Sequence, residues 1–151
     1  MPDRFAIDTS VYIRALGDAE RLAELKTFRK RAGLRLMVAG VVAMELDAGA
    51  TTERHAAAVE ELLESYIVRG SMIAVSVDAC RQAGRVLAAL VRHERMVLAR
   101  APRSLTNDVL IATSCREAGA VLVTDNSRDF SAIQRHLRGF RFATPWPLLI
   151  S

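Results

Sequence analysis

The chain has 151 residues, 51% of them hydrophobic, with 21 Lys and Arg against 17 Asp and Glu and only two Cys. Residues 1–151 read as a single domain, long enough to bury a core without disulfides, and no apolar run approaches the ~20 residues of a membrane span. Asp3 and Asp8 within MPDRFAIDTS speak against a signal peptide, and the isolated Cys80 and Cys115 form neither a zinc motif nor a secreted scaffold, so the expected location is the cytoplasm.

Arg4–Ile7 (RFAI) reads as a short buried strand ending at Asp8, and Thr9 or Ser10 can cap a helix running to about Leu16. Asp18–Arg31 reads as helix, with Leu22, Leu25 and Phe28 at helical spacing and Gly33 as its stop. Leu34–Ala39 (LRLMVA) suggests a second strand, and Gly40–Ala48 a helix that carries Glu45. Thr52–Arg69 reads as a helix with a Thr cap and an apolar stripe of Ala56, Val59, Leu62, Leu63 and Ile67. A short strand over Met72–Val75 and a long helix over Asp78–Arg100 follow. Leu105–Ala118 reads as helix capped by Thr106, and Ala120–Val123 (AVLV) as a strand running into the turn at Asp125. Ser127–Leu137 is expected to be helical, with a last strand over Phe140–Phe142 before Pro145-Trp146-Pro147. Cys80 and Cys115 are expected in the core, and Trp146 at its end.

Short apolar strands alternating with helices imply an α/β fold with a mainly parallel sheet covered on both faces. In such folds the working groups gather beyond the carboxyl ends of the strands. Asp8 directly follows the first strand, Glu45 lies in the helix after the second, and Asp125-Asn126-Ser127-Arg128-Asp129 follows AVLV. Asp108 sits near the start of an otherwise apolar helix. Singly, each acid has an ordinary explanation: a cap, a favourable charge at a helix N-terminus, or a solvated side chain. Together they would repel one another unless protonated or bridged by a cation. Oxygen-only ligation, with His55, His93 and His136 at no ligand spacing, suits Mg²⁺ or Mn²⁺.

FAIDTSVYI around Asp8, VVAMELDAGA around Glu45, LTNDVLIATSCREAGAVLVTDNSRDF over Leu105–Phe130, and the terminal Pro-Trp together resemble the PIN-domain nucleases, specifically the VapC-like toxins of bacterial toxin–antitoxin pairs. The resemblance spans nearly the whole chain in order and is weakest between Gly49 and Arg103. It implies a PIN-like three-layer α/β/α fold around a short central sheet. By position, Asp8, Glu45 and Asp108 match the family's acidic triad, and Asn126 and Asp129 match its T-x-N-x-x-D-F turn. The resemblance implies that Asp8, Asp108, Glu45 and Asp129 hold one or two Mg²⁺ or Mn²⁺ ions and are the catalytic residues. Thr9, Ser10, Thr124, Asp125 and Asn126 support them, with Asp125, Asn126 and Asp129 all open as the member of the turn that reaches the metal. The implied reaction is hydrolysis of RNA by an activated water, leaving a 5′-phosphate and a 3′-hydroxyl. A homodimer and a small VapB-type antitoxin that inserts a segment into the acidic cleft are implied as well.

Eight aromatics form no base-stacking array, so RNA contact is expected through phosphates rather than base reading. Of the basic residues 19 are Arg, a ratio that fits phosphate recognition and that a GC-rich genome also produces. Six of them (Arg81, Arg85, Arg92, Arg95, Arg100 and Arg103) stand against the single acid Glu94 in Ala79–Arg103, either as an RNA-guiding wall or as a solvated face. The formal charge of +4 thus divides into a local basic strip and an acidic cleft. Rival readings are a housekeeping RNA-processing nuclease without an antitoxin, and a non-catalytic PIN-like binding module. A phosphatase of the haloacid-dehalogenase kind would want a second Asp two residues after Asp8, where Ser10 stands.

Overall fold

Five short strands line up in parallel, in the order β3-β2-β1-β4-β5, to make the central sheet of a computed structural model that describes residues 2–94 and 103–148, the Arg103 side chain excepted. They are β1 (Arg4–Ile7), β2 (Leu36–Ala39), β3 (Met72–Ile73), β4 (Ala120–Val123) and β5 (Phe142–Ala143). Seven α-helices are described: α1 (Thr9–Leu16), α2 (Ala19–Ala32), α3 (Gly40–Gly49), α4 (Glu53–Val68), α5 (Val77–His93), α6 (Arg103–Glu117) and α7 (Ser127–His136). The result is the expected α/β/α arrangement. The inner strands β1, β2 and β4 are nearly all apolar and mostly buried, with Ala6, Ile7, Val38, Ala39 and Leu122 fully so, whereas the edge strand β5 leaves Ala143 exposed. No helix among the described residues is long and apolar enough to cross a membrane.

β1 is the pivot of the sheet. It pairs with β2 on one side (Phe5 with Leu36) and in full register with β4 on the other, from Arg4 with Ala120 to Ile7 with Val123. That register brings the residues leaving β1 and β4 side by side, and the Asp8 amide still donates to the Val123 carbonyl at 2.9 Å. Two turns far apart in sequence, into α1 and into α7, therefore start from adjacent strand ends.

Several local expectations shift for identifiable reasons. The cap of α1 is Asp8, not Thr9 or Ser10: its carboxylate accepts from the Thr9 amide, while the Thr9 and Ser10 hydroxyls are used on neighbouring acids. β2 is shorter than LRLMVA because Gly33–Arg35 form a 3₁₀ turn after α2, whose end Gly33 marks with φ +55°. In α4 the buried stripe is Val59, Leu63 and Tyr66, whereas Ala56 and Ile67 are exposed. One residue of helical phase turns Tyr66 inward, where its hydroxyl meets that of Tyr12 at 3.2 Å. The same phase argument puts Cys80 on the surface: α5 buries Ala79, Ala83, Val86 and Leu90. Cys115 is fully buried, as expected.

The described part of α5 ends at His93, and the predicted continuation through residues 95–100 lies outside the described residues. α6 already runs from Arg103, so Thr106 lies inside the helix rather than at its cap. The last strand is Phe142–Ala143, and Phe140 packs instead against Phe130 and Phe142. Trp146 is half-buried against the core, with the Arg21 guanidinium 4.4 Å from its ring centre.

Candidate active site

The carboxyl edge of the sheet collects the acids. Asp8 leaves β1, Glu45 comes from α3 following β2, Asp108 from α6, and Asp129 from the first turn of α7 after β4. Asp8 and Asp108 are 4% and 8% exposed, which is unusual for carboxylates and requires partners.

Asp8 has them on both oxygens. Oδ1 accepts from the Thr9 amide at 2.9 Å, and Oδ2 accepts from Thr124 Oγ1 at 2.7 Å and Ser10 Oγ at 3.2 Å. Burial raises its proton affinity above the ordinary carboxylate value, against the lowering effect of the Thr124 hydrogen bond. Thr124 also accepts the Asn126 amide at 3.0 Å, so one hydroxyl ties the end of β4 to Asp8. Thr9 Oγ1 donates to Glu45 Oε1 at 2.9 Å and holds the acid of α3 toward the β1 exit.

Asn126 joins the other two acids. It caps α7, its Oδ1 accepting from the Asp129 amide, and its Nδ2 donates to Asp108 Oδ2 at 3.3 Å and Asp129 Oδ2 at 3.0 Å. A neutral amide between two carboxylates relieves only part of their repulsion. Burial first, then the charges of Asp8, Asp129 and Glu45, push the Asp108 carboxyl up to about 8. Without a cation beside it, the Asp108 carboxyl therefore holds a proton more readily than an ordinary carboxylate does. Burial first, and then the charge of Asp8, push the Cys115 thiol up to about 12.

The sequence-predicted acids Asp8, Glu45, Asp108 and Asp129 are thus linked by hydrogen bonds or by charge at one strand edge, with Thr9, Ser10, Thr124 and Asn126 between them. Asp125 lies 3.6 Å from Arg14 Nε, its buried Oδ2 has no hydrogen-bond partner, and its charge adds to the upward push on Asp8. Arg14 escaped the sequence reading, although a base one and a half turns beyond Asp8 on α1 was the available signal. Arg81, Arg85 and Arg92 stand exposed on α5, and Arg81 and Arg85 line a concavity with Asp78 and Glu117 that none of the four clustered acids lines. Arg95, Arg100 and the side chain of Arg103 lie outside the described residues.

Among the described residues no three His, Cys, Asp or Glu side chains form a ready-made metal cage. The donor set nevertheless fits a hard divalent cation by its chemistry: four carboxylates, only oxygen donors, and a buried Asp108 whose proton affinity is raised by burial and then by the three neighbouring acids. Beside Glu45 opens a groove of about 640 Å³ lined by Ile13, Leu16, Leu46, Ala58 and Val59. Ile13 and Leu16 are 61% and 58% exposed there.

Known proteins with this architecture were found in solved structures. The chain superposes on DNA-bound VapBC from Salmonella typhimurium with a TM-score of 0.70 at 23% identity, covering 94% of this chain and 98% of that one. VapBC-1 from nontypeable Haemophilus influenzae gives 0.65 at 20% identity, covering 93% and 96%. A toxin–antitoxin complex from Klebsiella pneumoniae gives 0.63 at 18%, covering 94% and 98%. No curated protein matches the sequence. The family model of the PIN domain matches residues 5–135, a span that takes in all four acids and every strand but the last, and the chain belongs to the PIN domain family.

Proposed function

We propose that this protein is a Mg²⁺- or Mn²⁺-dependent endoribonuclease and the toxin of a VapBC-type toxin–antitoxin pair. The observation that carries the reading is the convergence of Asp8, Glu45, Asp108 and Asp129 at the carboxyl edge of the sheet, two of them buried and one, Asp108, pushed up to about 8 by burial and by the charges of the other three. Among the described residues their hydrogen bonds come only from neutral donors, and none of the four is ion-paired with a Lys or Arg.

Asp8, Asp108, Glu45 and Asp129 would hold the cation. When bound, a divalent cation supplies charge neutralisation at the phosphate and a lowered pKa for water. The protein's own part is positioning and proton management. Thr124 and Ser10 orient Asp8, Thr9 orients Glu45, and Asn126 spaces Asp108 from Asp129. Because burial and the neighbouring acids raise the proton affinity of Asp108, a cation at this site would compete with protonation there. Arg14, 57% exposed at the rim, offers a guanidinium to an RNA phosphate entering beside Asp125.

A cognate antitoxin and a homodimer belong to the same proposal. Support for the antitoxin comes from the apolar groove beside Glu45, which leaves Ile13 and Leu16 uncovered in the isolated chain and suits an apolar segment reaching toward the carboxylates. An Arg on that segment would pair with the acids and compete with the cation. Cytoplasmic RNA is the substrate this reading requires.

Inducible expression in a bacterial host tests the reading. Wild type is expected to arrest growth and degrade RNA, and Asp8→Asn, soluble at equal level, to do neither. Wild type that accumulates harmlessly, or an Asp8→Asn variant that arrests growth equally, overturns the toxin assignment.

A further inference from the structure

At the other end of the sheet, against the first residue of β2, a concavity of about 340 Å³ is lined by Lys26, Arg29, Lys30, Leu36, Ser65 and Arg69. It holds four cations and no acid, and it contains both lysines of the chain. Among the described residues, none of the four lies within ion-pairing distance of a carboxylate.

The two arginines are held in place. Arg29 Nη2 donates to Ser65 Oγ at 3.2 Å, and Arg69 Nε donates to the Ser65 carbonyl at 2.8 Å. Both guanidiniums lie against the buried Tyr66 ring, 5.3 and 5.1 Å from its centre. Each keeps further N–H donors free, and the two lysines are exposed at the mouth. The C-terminal turns of α2 and α4 favour a cation each, which accounts for basic residues at these ends but not for four of them converging unpaired on one cavity.

We infer that this cavity is a phosphate-binding pocket that takes a phosphate chain, a di- or triphosphate, carried by a free nucleotide or by the 5′ end of an RNA. Four positive charges around one small volume suit a compact, multiply charged group better than a phosphodiester backbone, which carries one charge per residue and is followed by a stripe rather than a pocket. The pre-placed guanidinium forks match phosphate oxygens, and the lysines add point charges. The inference does not rest on the nuclease reading, because no residue of the carboxylate cluster lines the cavity.

The test is calorimetric titration of pyrophosphate in EDTA, which keeps divalent cations from bridging the anion to the carboxylates. Wild type is expected to bind saturably at one site. Lys26→Ala/Lys30→Ala and Arg69→Ala should weaken binding at least tenfold while keeping the wild-type circular dichroism, and Asp8→Asn should bind as wild type does. Pyrophosphate that does not saturate, or that binds the pocket variants as tightly as wild type, overturns the inference. So does hexaglutamate displacing pyrophosphate at equal concentration, which would make the pocket a site for acidic peptide. A short RNA bearing a 5′-triphosphate that competes where its 5′-hydroxyl counterpart does not identifies an RNA end as the source. Competition by a nucleoside triphosphate but by neither RNA identifies the free nucleotide.

Discussion

Asp108→Asn is expected to remove RNA cleavage, by 10²–10³-fold or more as an order of magnitude, and at the same time to raise the melting temperature of the metal-free protein at pH 8. The two effects share one cause. Asp108 is 8% exposed and surrounded by Asp8, Asp129 and Glu45, so its ionised form is unfavourable in the fold unless a cation compensates it. Asn keeps the shape and still accepts the Asn126 amide through its side-chain oxygen, but it carries no charge to desolvate. A residue present for stability would behave in the opposite way. Cleavage assays with Mn²⁺, together with thermal melts in EDTA at pH 8, separate the two possibilities. A variant that melts below wild type there while cutting RNA at the wild-type rate would assign Asp108 to the scaffold.

The metal-free wild type is expected to lose stability as pH rises between about 4 and 8, the reverse of ordinary acid denaturation. The folded-state value of Asp108 lies near 8 against 3.8 for the free side chain, so the native state holds a proton that the unfolded chain has released across this window. The stabilisation is complete below about pH 4 and is lost as pH rises through 8; by linkage a shift of this size is worth on the order of several kcal/mol. Asp8, also raised, acts in the same direction. Glu94 acts oppositely: its hydrogen bonds from Arg135 and His136 hold it down to about 2, and its contribution falls only as pH drops below about 4.5. Saturating Mn²⁺ is expected to reverse the trend, because a cation replaces the proton on Asp108, and its stabilising increment should be larger at pH 8 than at pH 5.5. Urea denaturation at both pH values, with and without Mn²⁺, measures this. An increment independent of pH would mean that the cation binds away from Asp108.

Much of this was legible in the sequence because buried parallel strands announce themselves. RFAI and AVLV are recovered to the residue, and they are the pair whose register sets Asp8 beside the Thr124–Asn126 turn. What escaped was decided by tertiary context. The phase of α4 and α5 against the core, which makes Tyr66 rather than Ile67 and Ala79 rather than Cys80 the buried neighbour, depends on contacts that a stripe of alternating Ala, Leu and Val does not specify. Of the three residues that could cap α1, Asp8 does so, because the Thr9 and Ser10 hydroxyls serve as donors to acids. Here a buried Asp8 needs those hydroxyl and amide donors more than the helix needs theirs. The start of α6 at Arg103, a turn before Thr106, moved Asp108 from a helix opening to its second turn, where the dipole explanation for an acid weakens. The cationic pocket was invisible for a different reason: Lys26, Arg29 and Lys30 sit on α2, Arg69 follows α4, and only folding brings them together.

On the proposed function, the four acids act together through a divalent cation to cut RNA. The most direct measurement is cleavage of a defined RNA by the purified protein in Mn²⁺ and in EDTA, with the product ends determined. The expected result is internal cleavage leaving 5′-phosphate and 3′-hydroxyl ends in Mn²⁺, none in EDTA, and none by Asp8→Asn in either. Cleavage undiminished by EDTA, or a folded wild-type protein that binds Mn²⁺ and leaves every RNA intact, would contradict it.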